Sequence, residues 1–179
     1  MTASECQAPP TLVAVELVSV DKAVVADAPS ILGLRQALEE WLESKGVEQW
    51  GRGEVSLSDV VQQVAKGEWR VVRGSDGLQA ALRLLWSDEP VWQQQNAFAA
   101  YVHGLMVHRA HAGYGVGAAL LRWAEGQARQ AGAPSLRLDC VESNARLRAF
   151  YAALGFEEVG RRDFDGPWFS AVLLEKQLT

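Results

Sequence analysis

Three glycines in five residues, Gly113, Gly115 and Gly117, stand at the start of a helix-like run. Glycine lets a backbone turn sharply and come close to a ligand. The free amides of a helix start, with the helix dipole behind them, then make a cradle for phosphate. Two phosphate-binding patterns fail here. A P-loop needs Gly-Lys-Ser/Thr, and Gly117 is followed by Ala118 and Ala119. A dinucleotide fingerprint needs G-x-G-x-x-G, and the spacing is G-x-G-x-G. Asp139 lies where a ribose-binding acid would sit, but little chain remains after Phe156 for the further β-α units of such a sheet. A tight helix-packing turn is the bland alternative, although three glycines weaken helix and loop without a packing gain.

The surrounding residues carry a family resemblance. Leu105, Met106 and Val107 form an apolar-x-Val strand end. Ala112, Gly113, Tyr114, Gly115, Val116 and Gly117 fit an Arg/Gln-x-x-Gly-x-Gly/Ala turn at every position but the first. Asn144 is followed seven residues on by Tyr151, and then by Gly155-Phe156. In this order the segment resembles the core of the GNAT superfamily of N-acetyltransferases, which bind acetyl-coenzyme A. Ala112 replaces the Arg or Gln of that turn and removes one side-chain contact to the pyrophosphate. Arg109 and Arg146 are the candidates to supply charge instead.

The resemblance implies a chemistry. Acetyl-CoA would be the acyl donor, a primary amine of a small molecule or peptide the acceptor, and no metal would take part. Transfer would proceed by direct attack in a ternary complex. Backbone groups of Leu105, Met106 and Val107 would hold the pantetheine and polarise the thioester carbonyl. The residues Ala112 to Gly117, with Asn144 and Tyr151, would complete the cofactor site. Tyr151 is the candidate acid for the departing thiolate, with Phe150 as the buried ring beside it; a core tyrosine is its plain alternative. Two residues compete as base. Asp139 stands where a family branch acting on ribosomal-protein N-termini has a glutamate. His103, at the start of the central strand, has an imidazole suited to the task. Both are open to structural readings, and the reaction can also proceed on an amine that is already neutral. Trp41, Phe164 and Trp168, with Trp50 and Trp92, fall where the fold usually shapes the acceptor pocket, though any of them can be core. A catalytically silent acyl-CoA-binding domain is the alternative function.

These residues need elements to position them. Tyr101–Val107 reads as a strand, and the helix after the glycine turn shows Val116, Ala119, Leu120, Trp123, Ala124, Ala128 and Ala131 on one face. Arg122, Glu125 and Arg129 lie off that face, Glu125 pairing with Arg129, and Gly132 and Pro134 end the helix. Leu136–Val141 is a strand and Ser143–Leu154 a second helix. Upstream, Thr11–Val20 alternates as a strand. Asp27 and Pro29 open a helix with Ile31, Leu34, Leu38, Trp41 and Leu42 inward, closed by Gly46. Ser56 or Ser58 caps a helix ending at Gly67. Trp69–Arg73 and Leu78–Trp86 form a hairpin, with Leu78, Ala80, Leu82, Leu84 and Trp86 sharing a face. Ser87–Ala99 reads as a loop. Strands Glu157–Arg162 and Trp168–Lys176 finish the chain. The expected fold is α/β (α+β): a mixed, mostly antiparallel sheet flanked by helices, as in GNAT proteins. Residues 1–10 read as a disordered tail and 11–179 as one domain.

Composition agrees with an ordinary globular protein. The 179 residues are 49% hydrophobic and 22% charged. A net charge of -5 speaks against nucleic acid and mildly for a cationic amine. Cys6 and Cys140 make no disulfide framework, and Cys140 falls in a core strand. No His/Cys spacing suits a metal. The N-terminus lacks signal-peptide features and no stretch reaches membrane length. The expectation is a cytoplasmic monomer or homodimer.

Overall fold

The structure is a computed structural model that describes residues 19–93, 97–164 and 170–178. Its strands are β1 (Asp21–Lys22), β2 (Trp69–Gly74), β3 (Gly77–Leu85), β4 (Ala100–Val107), β5 (Ser135–Val141), β6 (Glu157–Arg162) and β7 (Ala171–Gln177). The helices are α1 (Ala28–Ser44), α2 (Leu57–Ala65), α3 (Glu89–Trp92), α4 (Val116–Gln130) and α5 (Ala145–Ala153). The seven strands form one sheet in the order β1-β2-β3-β4-β5-β7-β6. Only β4 and β5 run parallel. The expected mixed, mostly antiparallel sheet is therefore present. The expected strand Thr11–Val20 lies almost wholly outside the described residues, as do Met1–Pro10 and Trp168.

Two helical layers cover the sheet. Val116, Leu120, Leu121, Ala124 and Ala128 of α4 pack with Tyr151 and Phe156 on Ala80, Leu82, Val102, Leu136 and Leu138. On the opposite face Ile31, Leu34 and Leu38 of α1 and Val60 and Val64 of α2 pack on Trp69, Val71, Ala81 and Met106. Burial of these apolar faces is the main favourable term, at about 25 cal/mol per Å². β5 is covered on both sides: Arg137 is buried among Trp92 and Tyr101, bonding Glu175 at 2.5 Å and the Tyr101 hydroxyl at 3.0 Å.

Several expectations are corrected. Ser87–Ala99 is not all loop, because Pro90 in the first turn opens the short helix α3. Leu78 leaves the face of Ala80, Leu82 and Leu84 and packs beside α1 and α2. The cause is a bulge at Gln79, where Val72 pairs Ala80 but Arg73 pairs Leu78. Trp86 is exposed and stacks on Phe98 at 5.8 Å. Glu125 is buried, not off the apolar face, because Lys176 of β7 reaches it at 2.7 Å; Arg129 stands at 3.7 Å.

A second bulge positions the site. Met106 pairs Ala81 and His103 pairs Arg83, so Gly104 and Leu105 together face Leu82. Gly104 has φ of +55°, and a Cβ there would lie 3.1 Å from Cη2 of Trp69. The extra residue resets the alternation of β4. Leu105 and Val107 join the α4 side of the sheet, and Met106 points into the α1–α2 side. Gly104→Ala should lower the unfolding free energy by about 1–3 kcal/mol, combining a left-handed backbone with crowding of Trp69. Urea denaturation checks this; an unchanged midpoint would mean β4 does not need glycine here.

Candidate active site

The parallel ladder of β4 and β5 is short. Ala100, Tyr101 and Val102 pair with Leu136, Arg137 and Leu138, and no later pair forms among the described residues. From His103 onward β4 pairs only with β3, and from Asp139 onward β5 pairs only with β7. The gap between them opens into a groove of about 1180 Å³. His103, Gly104, Leu105 and Val107 line one wall, and Asp139, Cys140 and Val141 the other.

One end of the groove is the glycine turn. Gly113 and Gly115 have φ of +87° and +82°, a region that suits glycine. Gly115 is the N-cap of α4, and no side chain caps the helix. The first bond into the helix runs from the Ala119 amide to the Gly115 carbonyl. The amides of Val116, Gly117 and Ala118 therefore have no intrahelical acceptor, and all three residues line the groove. The Arg109 guanidinium lies 3.8 Å over the Trp41 ring beside this turn. Arg146 stands on the other bank.

The candidate side chains are brought together. Ala112, Gly113, Gly115, Val116, Gly117, Asn144, Tyr151, Trp41 and Phe164 all line the groove. The Met106 side chain and Tyr114 do not: Met106 is buried in the α1–α2 layer and Tyr114 is exposed. Trp92 belongs to the core with Ala99 and Tyr101. Phe150 and Tyr151 exchange the expected depths, though both line the groove. Tyr151 is the buried ring, and Phe150 is half-buried against the groove. Burial, with Cys140 and Asp139 nearby, pushes the Tyr151 phenol well above its usual range, so its proton stays on. Asn144 uses both ends of its amide. Its Oδ1 accepts from the Leu147 amide at 3.1 Å, capping α5, and its Nδ2 donates to Gln49 Oε1 at 2.7 Å.

His103 and Asp139 are neighbours, with Nδ1 3.5 Å from Oδ1. Nε2 of His103 lies 2.8 Å from Oδ2 of Asp88. Burial pulls the imidazole toward neutrality, but the bond to Asp88 and the charges of both carboxylates outweigh it, and its proton affinity is raised. Burial also raises Asp139, opposed by His103. The ligand atoms of Asp88, His103 and Asp139 lie within 4.8 Å of one another, close enough for a cation, but both His103 nitrogens already face carboxylates.

Known proteins share this architecture. Residues 35–156 match the sequence pattern of the Acetyltransferase (GNAT) family. The chain belongs to the GNAT acetyltransferase family. An uncharacterized N-acetyltransferase of Bacillus subtilis, YesJ, is 35% identical over 147 residues, covering 77% of this chain and 81% of YesJ. A GNAT-family acetyltransferase structure from Listeria monocytogenes superposes with a TM-score of 0.74 at 27% identity, over 90% of this chain and 95% of that one. The fold of the putative acetyltransferase yncA of Salmonella typhimurium, solved with acetyl-CoA, gives 0.68 at 17% identity, over 92% and 95%. Among the described residues no helix is long and apolar enough to cross a membrane.

Sequence reasoning missed Asp88, Gln49 and the need for Gly104. Asp88 had one signal, an acid two residues before Pro90 that reads as a helix start; nothing linked it to His103. Cys140 lines the groove, but its surroundings disfavour the thiolate that a nucleophile needs. Burial, with Asp139 adding, pushes its thiol up to about 12. In a Cys6→Ser variant, native Cys140 should react with iodoacetamide at pH 7.5 roughly a hundredfold more slowly than in urea. Equal rates, followed by mass spectrometry, would contradict that environment.

Proposed function

We propose that this GNAT member transfers an acetyl group from acetyl-CoA to a primary amine by direct attack. One observation carries the reading: the open seam between β4 and β5 leads to the uncapped start of α4. A long ligand with a phosphate at one end and a thioester at the other fits that sequence of groups. The pyrophosphate takes the amides of Val116, Gly117 and Ala118, and Arg109, braced on Trp41, supplies the charge that Ala112 lacks. The pantetheine runs along the unpaired edge of Leu105, Met106 and Val107. A backbone N–H on that edge donates to the thioester carbonyl as charge develops.

The amine nitrogen attacks the carbonyl carbon and the C–S bond breaks. The proton leaving nitrogen passes to the Asp139–His103 pair, which acts as one coupled base. The departing thiolate accepts a hydrogen bond from the Tyr151 hydroxyl. Since burial raises that phenol, Tyr151 stabilises the thiolate as a donor and need not surrender its proton. Phe164, which lines the groove, borders the acceptor, a small molecule or a peptide terminus. Positioning of the two reactants supplies the rest of the acceleration.

Release of free CoA thiol on mixing the protein with acetyl-CoA and a panel of amines tests the reading against a silent acyl-CoA-binding domain. Tyr151→Phe should lower kcat roughly ten- to a thousandfold, the range for acid–base groups. The KM for acetyl-CoA should change little. A KM that rises as much as kcat falls would make Tyr151 a binding residue.

A further inference from the structure

Asp88 stands at the N-cap of α3, a position where an aspartate normally accepts from the first amides of its helix. It makes no such bond. Its backbone carbonyl accepts from Trp92 N–H at 2.8 Å, while its carboxylate turns away to His103 Nε2, also at 2.8 Å. Asp88 is only 8% exposed, and a buried carboxylate needs a partner. We infer that Asp88 is a positioning residue for acetyl transfer: it holds His103 with Nε2 protonated, so that Nδ1 faces Asp139 and the groove. The inference rests on the acetyl-transfer reading above.

The geometry sets out a line of three groups. Asp88 lies deepest and does not line the groove, His103 is in the middle, and Asp139 is on the groove wall. With Nε2–H donating to Asp88, neutral His103 has only its Nδ1 lone pair free. A proton taken from the amine at Nδ1, or taken at Asp139 and passed on to Nδ1, yields an imidazolium between two carboxylates. Asp88 favours that product by charge and favours the correct neutral tautomer by its hydrogen bond. The other charges near His103 are accounted for. Arg83, its partner across β3, opposes its protonation and is held by Glu68 at 2.6 Å. Arg35 of α1, which shares a small cavity of about 160 Å³ with His103, is held by Glu39 and Glu54.

The test uses Asp88→Asn in the full chain. Asn keeps the volume and an acceptor oxygen but removes the charge. The rising limb of kcat/KM against pH should move to lower pH, and the plateau should fall roughly ten- to a hundredfold. The KM for acetyl-CoA should stay unchanged, and Asp88→Glu should restore part of the plateau. The NMR titration of the His103 ring should shift to lower pH in the same variant, a readout that needs no turnover. In a His103→Gln background, Asp88→Asn should cost nothing further. An unmoved His103 titration, or an additive loss in the double variant, would overturn the inference. If Asp88→Asn does not fold, the wild-type titration decides: a midpoint at or below that of an ordinary histidine overturns it. A shifted titration in a protein that binds acetyl-CoA but acetylates no amine would overturn the acetyl-transfer reading itself, and with it the catalytic purpose of Asp88.

Discussion

The parting of β4 from β5 after Val102 and Leu138 is the constraint on which the rest depends. A paired strand has no free backbone groups to offer a ligand. Here β4 keeps its ladder with β3 and β5 keeps its ladder with β7, so each strand stays fixed while the edges between them remain open. The parting leaves α4, with Tyr151 of α5, to cover both strands from one face. It also requires a bulge in β4, since a regular strand would send Leu105 and Val107 to the wrong layer. Gly104 supplies that bulge at a positive φ and against Trp69, where a side chain would meet resistance. A small residue deep in a strand thus determines which faces of β4 meet the groove.

The electrostatics of the groove follow from the same parting. Asp139 follows the last residue of β5 that pairs with β4, and His103 the last of β4 that pairs with β5, which puts their side chains 3.5 Å apart. A charge on either one alone at this depth would be costly. Each lowers that cost for the other, and Asp88 completes the compensation from behind. The net charge of the three groups is negative when His103 is protonated, which suits a cationic amine arriving at the groove. At the far end the sign reverses, with three helix-start amides, Arg109 and Arg146. The groove thus carries helix-start amides and guanidinium groups at one end and carboxylates with an imidazole at the other, the polarity that the proposed reaction of acetyl-CoA with an amine would need.

Much of this was legible in the sequence. The glycine turn, most of the apolar face of α4, the helix after Ser143 and the order of elements from α1 onward, α3 excepted, rest on local patterns of three to seven residues. Local patterns also placed the bounds of β6 and the start of α1. What escaped the sequence was non-local. The bulges at Gln79 and Gly104 change which residues share a face, and nothing in the alternation announces them. Glu125 looked solvent-facing until Lys176, from the last strand, came to meet it. Phe150 and Tyr151 were assigned opposite depths because adjacent residues on a short helix differ only by a rotation that tertiary packing sets. His103 and Asp139 read as rival bases for the same reason: they come from strands distant in sequence, which the fold sets side by side.

The central claim is that acetyl-CoA occupies the open seam with its phosphate on the α4 start. Hydrogen exchange of the full-length protein with and without acetyl-CoA tests it most directly. The account predicts slowed exchange in His103–Val107 and in Gly113–Ala118, with β2 and α2 unchanged, and loss of both effects in Gly115→Val. Slowed exchange confined to other segments, or an undiminished effect in Gly115→Val, would contradict it.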